Sequence, residues 1–422
     1  MVYKISKSRL AENELIDLPA SKSLSNRALI LRSLNSAHCP ISHISDCDDT
    51  RVMLAAFNAD SRTHQFEGNY RIIDIGAAGT SMRFLTAFFA SQQGQKVIMT
   101  GSERMRQRPI SILVDALGRL GADIEYCANE GFPPLRINGK QLEGGVLEID
   151  GSVSSQYISA LLMIAPTLTN GLELHLTGKV TSVPYINMTL TMMRQFGVQS
   201  SWQGNVINVA HQEYSAESFE VESDWSAASY WYEILALTSQ INSIRLKGLH
   251  LDSTQGDCQI ARYFQEFGIK TEACTEGVII TKTSAVLPQK VEFDMSSQPD
   301  LAQTVVATCC ALGVHFHIKG LHTLRIKETD RIAALENELA KLGFIVSDCN
   351  DSEMMWDGQC NDASNQPIAT YKDHRMAMAF APLCLITQNA FINIDDPAVV
   401  SKSYPSFWND MRQIGFLVEE TK

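Results

Sequence analysis

Charged and hydroxyl-bearing side chains recur in this sequence where helix-like segments begin. Their types suit the capture of small, multiply anionic molecules. Lys22 and Arg27 flank the hydroxyls of Ser23 and Ser25, with Ser21 just before them, ahead of a mostly apolar helix expected over 28–34. Ile75-Gly76-Ala77-Ala78-Gly79-Thr80 is a glycine-rich turn between a strand and a helix, and Arg83 follows one turn on. Such a turn lets backbone N–H groups and the positive end of the helix dipole approach an anion. It has neither a Gly-Lys-Ser/Thr ending nor a dinucleotide fingerprint. Asp150-Gly151-Ser152-Val153-Ser154-Ser155-Gln156 opens the apolar segment 158–165, and Thr181-Ser182-Val183-Pro184 repeats the theme. Capping needs one such side chain, so the excess points to ligand contact.

Three arginines, Arg104, Arg106 and Arg108, alternate with other residues before Pro109. In an extended run they would share one face, an arrangement suited to bidentate capture of carboxylate or phosphate. The second half of the chain carries mixed acid–base groups. They are Gln298-Pro299-Asp300, Arg325-Ile326-Lys327-Glu328-Thr329-Asp330-Arg331, Asp373-His374-Arg375 and Lys402. A helix that includes both Lys327 and Arg331 would put them on one face. Two half-sites of like positive charge would repel when empty and close when anions arrive.

These groups must be positioned by regular elements, and an internal repeat supplies them. Leu120-Gly121, Phe196-Gly197, Phe267-Gly268, Leu342-Gly343 and Ile414-Gly415 each end an amphipathic stretch and lead into apolar residues. Phe57-Asn58-Ala59 is a weaker sixth copy. They recur about every 70 residues, as a helix-to-strand repeat would. Glycine is suited to the left-handed position just past a helix end. Helices are expected over 109–120, with Pro109 in the first helical position and Ile112, Leu113, Ala116, Leu117 and Leu120 on the buried stripe, and over 329–342. The segment 347–369 reads as a surface loop or hairpin. The fold class is mixed α/β, and six units divide most simply into two similar domains, with a boundary near 221–225.

The net charge of −12 disfavours non-specific nucleic-acid binding. The first ten residues lack the apolar core of a signal peptide, and no apolar run is long enough to span a bilayer, so a cytoplasmic, membrane-free protein is expected. Ten cysteines without a C-x-x-C pair, and ten histidines without ligand spacing, suggest reduced thiols and no metal site.

At the segments 21–27, 150–156, 327–331 and 373–377 the chain resembles the EPSP synthases (3-phosphoshikimate 1-carboxyvinyltransferases) of the enolpyruvyl transferase family, and the likeness runs along the whole chain in order. The resemblance implies two domains, 20–223 and 1–19 plus 224–422, each of three βαβαββ repeats with helices packed inside (an inverse α/β barrel), and an active site in the cleft between them. It implies transfer of the enolpyruvyl group of phosphoenolpyruvate to the 5-hydroxyl of shikimate 3-phosphate, giving phosphate, by addition and elimination, with no cofactor. Lys22, Ser23, Arg27, Ser154, Ser155, Gln156, Ser182, Asp300, Thr323 and Lys327 would bind shikimate 3-phosphate. Lys22, Gly79, Thr80, Arg108, Gln156, Arg331, Arg375 and Lys402 would bind phosphoenolpyruvate. Asp300 would be the base on the 5-hydroxyl, with Glu328, Lys22 and His374 completing the acid–base set. Partners would be these small molecules alone, with the chain a monomer. The chain departs from the family's pattern at Ala77 (usually Asn), Thr323 (Asn in some members) and Ala20 (commonly Gly). The retained Gly79 implies sensitivity to glyphosate. The rival readings are a UDP-N-acetylglucosamine enolpyruvyl transferase, which would use a loop cysteine absent from 101–109, and a non-catalytic anion-binding relative.

Overall fold

The computed structural model describes residues 1–35, 38–58, 65–364 and 366–421. The chain divides into two compact units, Ala20–Val221 and Met1–Pro19 with Glu222–Lys422. Both are mixed α/β, and each has its own apolar core.

One connection pattern recurs. The strand Gly145–Asp150 passes through the helix Ser155–Ile164 to the parallel strand Leu172–Thr177, with Leu147 opposite Leu174. A second helix, Val183–Gln195, then feeds the antiparallel pair Ser201–Gln203 and Val206–Val209. The last strand pairs back onto Leu172–Thr177, so the sheet runs outer hairpin strand, returning strand, then the parallel pair. The same order holds for Tyr70–Asp74, Lys96–Thr100, Leu135–Asn138 and Asp123–Tyr126, with Gln65–Glu67 added at the edge. It holds again for Lys290–Asp294, His315–Lys319, Glu353–Trp356 and Ser347–Cys349. A fourth copy is made of distant segments. Leu15–Asp17 pairs in parallel with Ser243–Lys247, next to Gly277–Lys282 and Ile269–Cys274. The sheet of Phe391–Asp395, Val2–Ser6 and Leu417–Thr421 is wholly antiparallel, and Phe219–Glu220 pairs with Ile41–Ser42 in a two-stranded sheet.

The first helix of each pattern is buried nearly all round. Gly79–Ser91 has twelve buried residues, and Ser155–Ile164, Trp225–Leu237 and Ala302–Leu312 are similarly enclosed. Helices apolar on every side belong in a core. The second helices are amphipathic, as in Ser111–Arg119 and Arg331–Lys341.

The five glycines of the repeat lie at φ from 75° to 117°, the left-handed region expected of them. Ala59 of the sixth copy lies outside the described residues. Three local expectations are corrected. Pro109 precedes the helix Ser111–Arg119, whose cap is Ile110, and Ile112 is exposed while Val114 joins the buried stripe. Residues 105–107 form a 3-10 turn, so Arg104, Arg106 and Arg108 do not share the face of an extended run. The helix after Lys327 begins at Arg331, capped by Asp330 through Ala333 N at 3.1 Å, so Lys327 and Arg331 share no helix face. In the segment 347–369, Ser347–Cys349 and Glu353–Trp356 form a hairpin.

Candidate functional site

Nearly all the candidate residues sit where a strand hands over to a helix. Lys22, Gly79, Thr80, Ser154, Ser155, Asp300, His374 and Arg375 lie at or just before the start of an inner helix. Arg108, Ser182, Lys327 and Lys402 lie in the connection that precedes the following helix. The sequence placed Lys22 ahead of a helix. The helix in fact spans Lys22–Leu34 with Ser21 as its cap, so Lys22, Ser23 and Arg27 belong to its first two turns.

In the unit Ala20–Val221, Arg27 is 2% exposed and held by neutral oxygens. Nε donates to Thr189 Oγ1 at 2.8 Å, Nη1 to the Ser23 carbonyl at 2.9 Å, and Nη2 to Ser159 Oγ at 3.1 Å. The guanidinium also lies 5.3 Å from the Phe84 ring centroid. Burial brings its pKa down to about 10, with Tyr185 pulling the other way, so it stays charged at neutral pH. A buried cation without a carboxylate partner in these contacts favours an anionic ligand beside it. Lys22 Nζ lies 3.8 Å from Asp49 Oδ2.

The glycine-rich turn meets two other candidates. Gln156 Nε2 donates to Thr80 Oγ1 at 3.1 Å. Arg108 lies over Gly79 so closely that a Cβ there would stand 2.5 Å from Nη1. Arg83 Nη1 donates to the Gly79 carbonyl at 2.9 Å, and Tyr157 Oη donates to the Pro109 carbonyl at 2.6 Å. Both contacts anchor the segments that bring Arg108 to Gly79. Ser154 caps its helix through Gln156 N at 3.4 Å, and Ser182 takes a left-handed conformation, φ 54°, at the cap of Val183–Gln195. A non-glycine residue there is uncommon and tends to mark functional positions.

In the other unit, the acids and bases converge on Asp300 and Arg331. Asp300 Oδ1 accepts from Arg331 Nη1 at 2.9 Å and lies 3.4 Å from Lys327 Nζ; Oδ2 accepts from Arg375 Nη2 at 3.0 Å. Arg331, 1% exposed, also donates from Nε to Asp373 Oδ2 at 2.7 Å and from Nη2 to Glu328 Oε2 at 3.0 Å. Burial alone would lower its pKa, but Asp373, Glu328 and Asp300 more than offset that and hold it above the ordinary arginine value. Arg375 behaves alike: burial lowers it, Asp300, Tyr230 and Asp257 raise it, and the net shift is upward. His374 Nδ1 is 3.7 Å from Asp373 Oδ1. Lys402 Nζ donates to the Lys372 carbonyl at 2.6 Å, one residue before Asp373. Thr323 Oγ1 is buried without a hydrogen-bond partner among the described residues. The mixed acid–base character expected of these segments takes the form of one ion-paired cluster. Lys327, Arg331 and Arg375 already face Asp300, Glu328 and Asp373, which balance them.

Sequence reasoning missed Asp49 and Asp257. Asp49 lies in the first turn of the helix Asp48–Ala56 and Asp257 in the turn Gly256–Gln259 before the helix Ile260–Gln265, so the phase of the repeat was the signal that could have found them. Among the described residues no group of three His, Cys, Asp or Glu could hold a metal ion. Likewise no helix is long and apolar enough to cross a membrane, and the ten cysteines are unpaired.

The model of the EPSP synthase (3-phosphoshikimate 1-carboxyvinyltransferase) family matches residues 9–411. The chain is similar to a 3-phosphoshikimate 1-carboxyvinyltransferase of Bacteroides fragilis, 53% identical over 403 residues and 95% of each chain. It is also similar to one from Haemophilus influenzae, 37% identical over 94% of this chain and 96% of the other. An EPSP synthase structure from Acinetobacter baumannii shares the fold, with a TM-score of 0.78 at 22% identity, covering 99% of this chain and 100% of that one.

Proposed function

The chain belongs to the EPSP synthase family, and on that premise we propose that it transfers the enolpyruvyl group of phosphoenolpyruvate to the 5-hydroxyl of shikimate 3-phosphate, releasing phosphate. The observation that carries the residue assignment is Asp300, a carboxylate shared by Lys327, Arg331 and Arg375. Cations held on a protein carboxylate are positioned in advance for a substrate phosphate or carboxylate.

Asp300 takes the proton of the 5-hydroxyl as its oxygen attacks C2 of phosphoenolpyruvate. C3 gains a proton from the Glu328 and Lys22 side of the reaction. The tetrahedral ketal phosphate then loses a C3 proton and phosphate, leaving the enol ether. Arg108, Arg331, Arg375, Lys402 and Lys22 neutralise phosphoenolpyruvate, with Gly79 and Thr80 beside it. Arg27 and Ser23 take the shikimate carboxylate. Ser154, Ser155 and Ser182 take the 3-phosphate, Thr323 lies near it, Gln156 covers the ring and Lys327 meets a ring hydroxyl. His374 supports the acid–base set through Asp373. The two half-sites serve one substrate pair, and each unit is built of three βαβαββ repeats around inner helices. The sheet order shared by four of the sheets supports that fold reading. The chain acts as a monomer.

Phosphate release from phosphoenolpyruvate tests this directly. Shikimate 3-phosphate is expected to support turnover and UDP-N-acetylglucosamine is not. Turnover with the UDP-sugar alone, or with neither acceptor, overturns the proposal.

A further inference from the structure

Asp257 stands behind this cluster, in the connection Gly256–Gln259 that leads to the helix Ile260–Gln265. That is the repeat position which supplies Arg108 and Lys327 in their own units. The residue is 6% exposed. Ser226 Oγ donates to Oδ2, while Oδ1 is buried without a hydrogen-bond partner among the described residues. No described cation lies within ion-pair distance of it, although Asp300 and Arg375 are within electrostatic reach.

The placement is built. Gln255, two residues earlier, donates from Nε2 to Glu222 Oε2 at 2.8 Å and to the Ser223 carbonyl at 2.7 Å, and accepts from Trp225 N at 3.3 Å. These bonds tie the turn to the start of the helix Trp225–Leu237. The same helix brings Tyr230 to within 3.5 Å of Arg375 Nη1.

We propose that Asp257 is a positioning residue of the active site, a carboxyl whose charge sets how firmly Arg375 and Asp300 are held for phosphoenolpyruvate. The inference rests on the function proposed above. A buried carboxyl without a cation partner favours its neutral form, and a second carboxylate nearby adds to that. Burial first, then Asp300 and Asp224, push the Asp257 pKa up, against Arg375 and the Ser226 hydroxyl. The other titratable groups facing it are Cys258 beside it in the chain and Tyr263 on the helix that follows. While neutral, Asp257 leaves Arg375 to Asp300 and to an arriving anion. Once ionised, it competes for Arg375 and repels the substrate's negative charge.

The test compares wild type with D257N over pH, using the KM for phosphoenolpyruvate with shikimate 3-phosphate saturating. The ratio of wild-type to D257N KM is expected to rise about fivefold between about pH 6 and pH 9, the effect of one screened like charge. D257A, read at the same pH values and checked for folding by its thermal transition, loses the Ser226 contact and is expected to raise KM at every pH. A D257N ratio that stays flat across the range overturns the proposal, and so does a KM unaffected in both variants. Absence of wild-type turnover would instead count against the function on which it rests.

Discussion

Arg375 donates from Nη2 to Oδ2 of Asp300 over 3.0 Å, while Arg331 holds the other oxygen of the same carboxylate. A group fixed on both oxygens by cations keeps its orientation and its negative charge. Asp300→Asn keeps the shape and removes the base. It is expected to lower kcat about 10²–10⁴-fold, with an unchanged circular dichroism spectrum. A kcat within twofold of wild type would remove Asp300 from the mechanism.

Arg331 is the electrostatic centre of its unit, and Asp373 beneath it is 0% exposed. Arg331→Met strands a buried carboxylate and is expected to cost about 3–5 kcal/mol in denaturant unfolding. Arg331→Lys keeps the charge but lacks the planar fork that reaches Asp373, Asp300 and Glu328 together. It is expected to recover only part of the loss.

Gly79 tests the seat of Arg108. Gly79→Ala places a methyl 2.5 Å from Arg108 Nη1, and the flexible guanidinium is what must move. The KM for phosphoenolpyruvate is expected to rise about tenfold, the loss of ~1.4 kcal/mol of binding, with little change in Tm. Gly118→Ala is the control, since nothing lies within 4 Å of the added carbon. Equal kinetic effects at the two sites would refute the contact.

Glu233 is 0% exposed in the core helix Trp225–Leu237. Burial pushes its carboxyl well above the usual range, with the Thr308 hydroxyl pulling the other way. Above the unfolded carboxyl's pKa, the unfolded state sheds a proton that the folded state keeps, so stability falls as pH rises until the folded pKa is passed. Glu233→Gln lacks that loss. Its stability relative to wild type is expected to improve steadily from about pH 4 to pH 8 in chemical denaturation. A pH-independent difference would show that Glu233 ionises in the fold.

Much of the site was legible in the sequence because its residues lie at chain junctions with strong local signals. Ser21, Ser154 and Asp373 each cap a helix, and Gly79 opens one. The repeat was legible because a helix that ends in the left-handed region needs glycine there, as at Gly268 and Gly415. Local pattern misplaced Arg104, Arg106 and Arg108, because a 3-10 turn of three residues leaves no periodicity to read.

By itself, the sequence determined the mixed α/β class, the repeat and most of the candidate residue types, since propensity, capping and hydrophobic period act over a few neighbouring residues. Only the tertiary structure decided that Asp300 binds Arg331 and Arg375, that Arg27 lies among Ser159 and Thr189, and that Leu15–Asp17 pairs with Ser243–Lys247. Those pairings join residues far apart along the chain. Their energies come from burial and ion pairing that exist only after the core has closed around them.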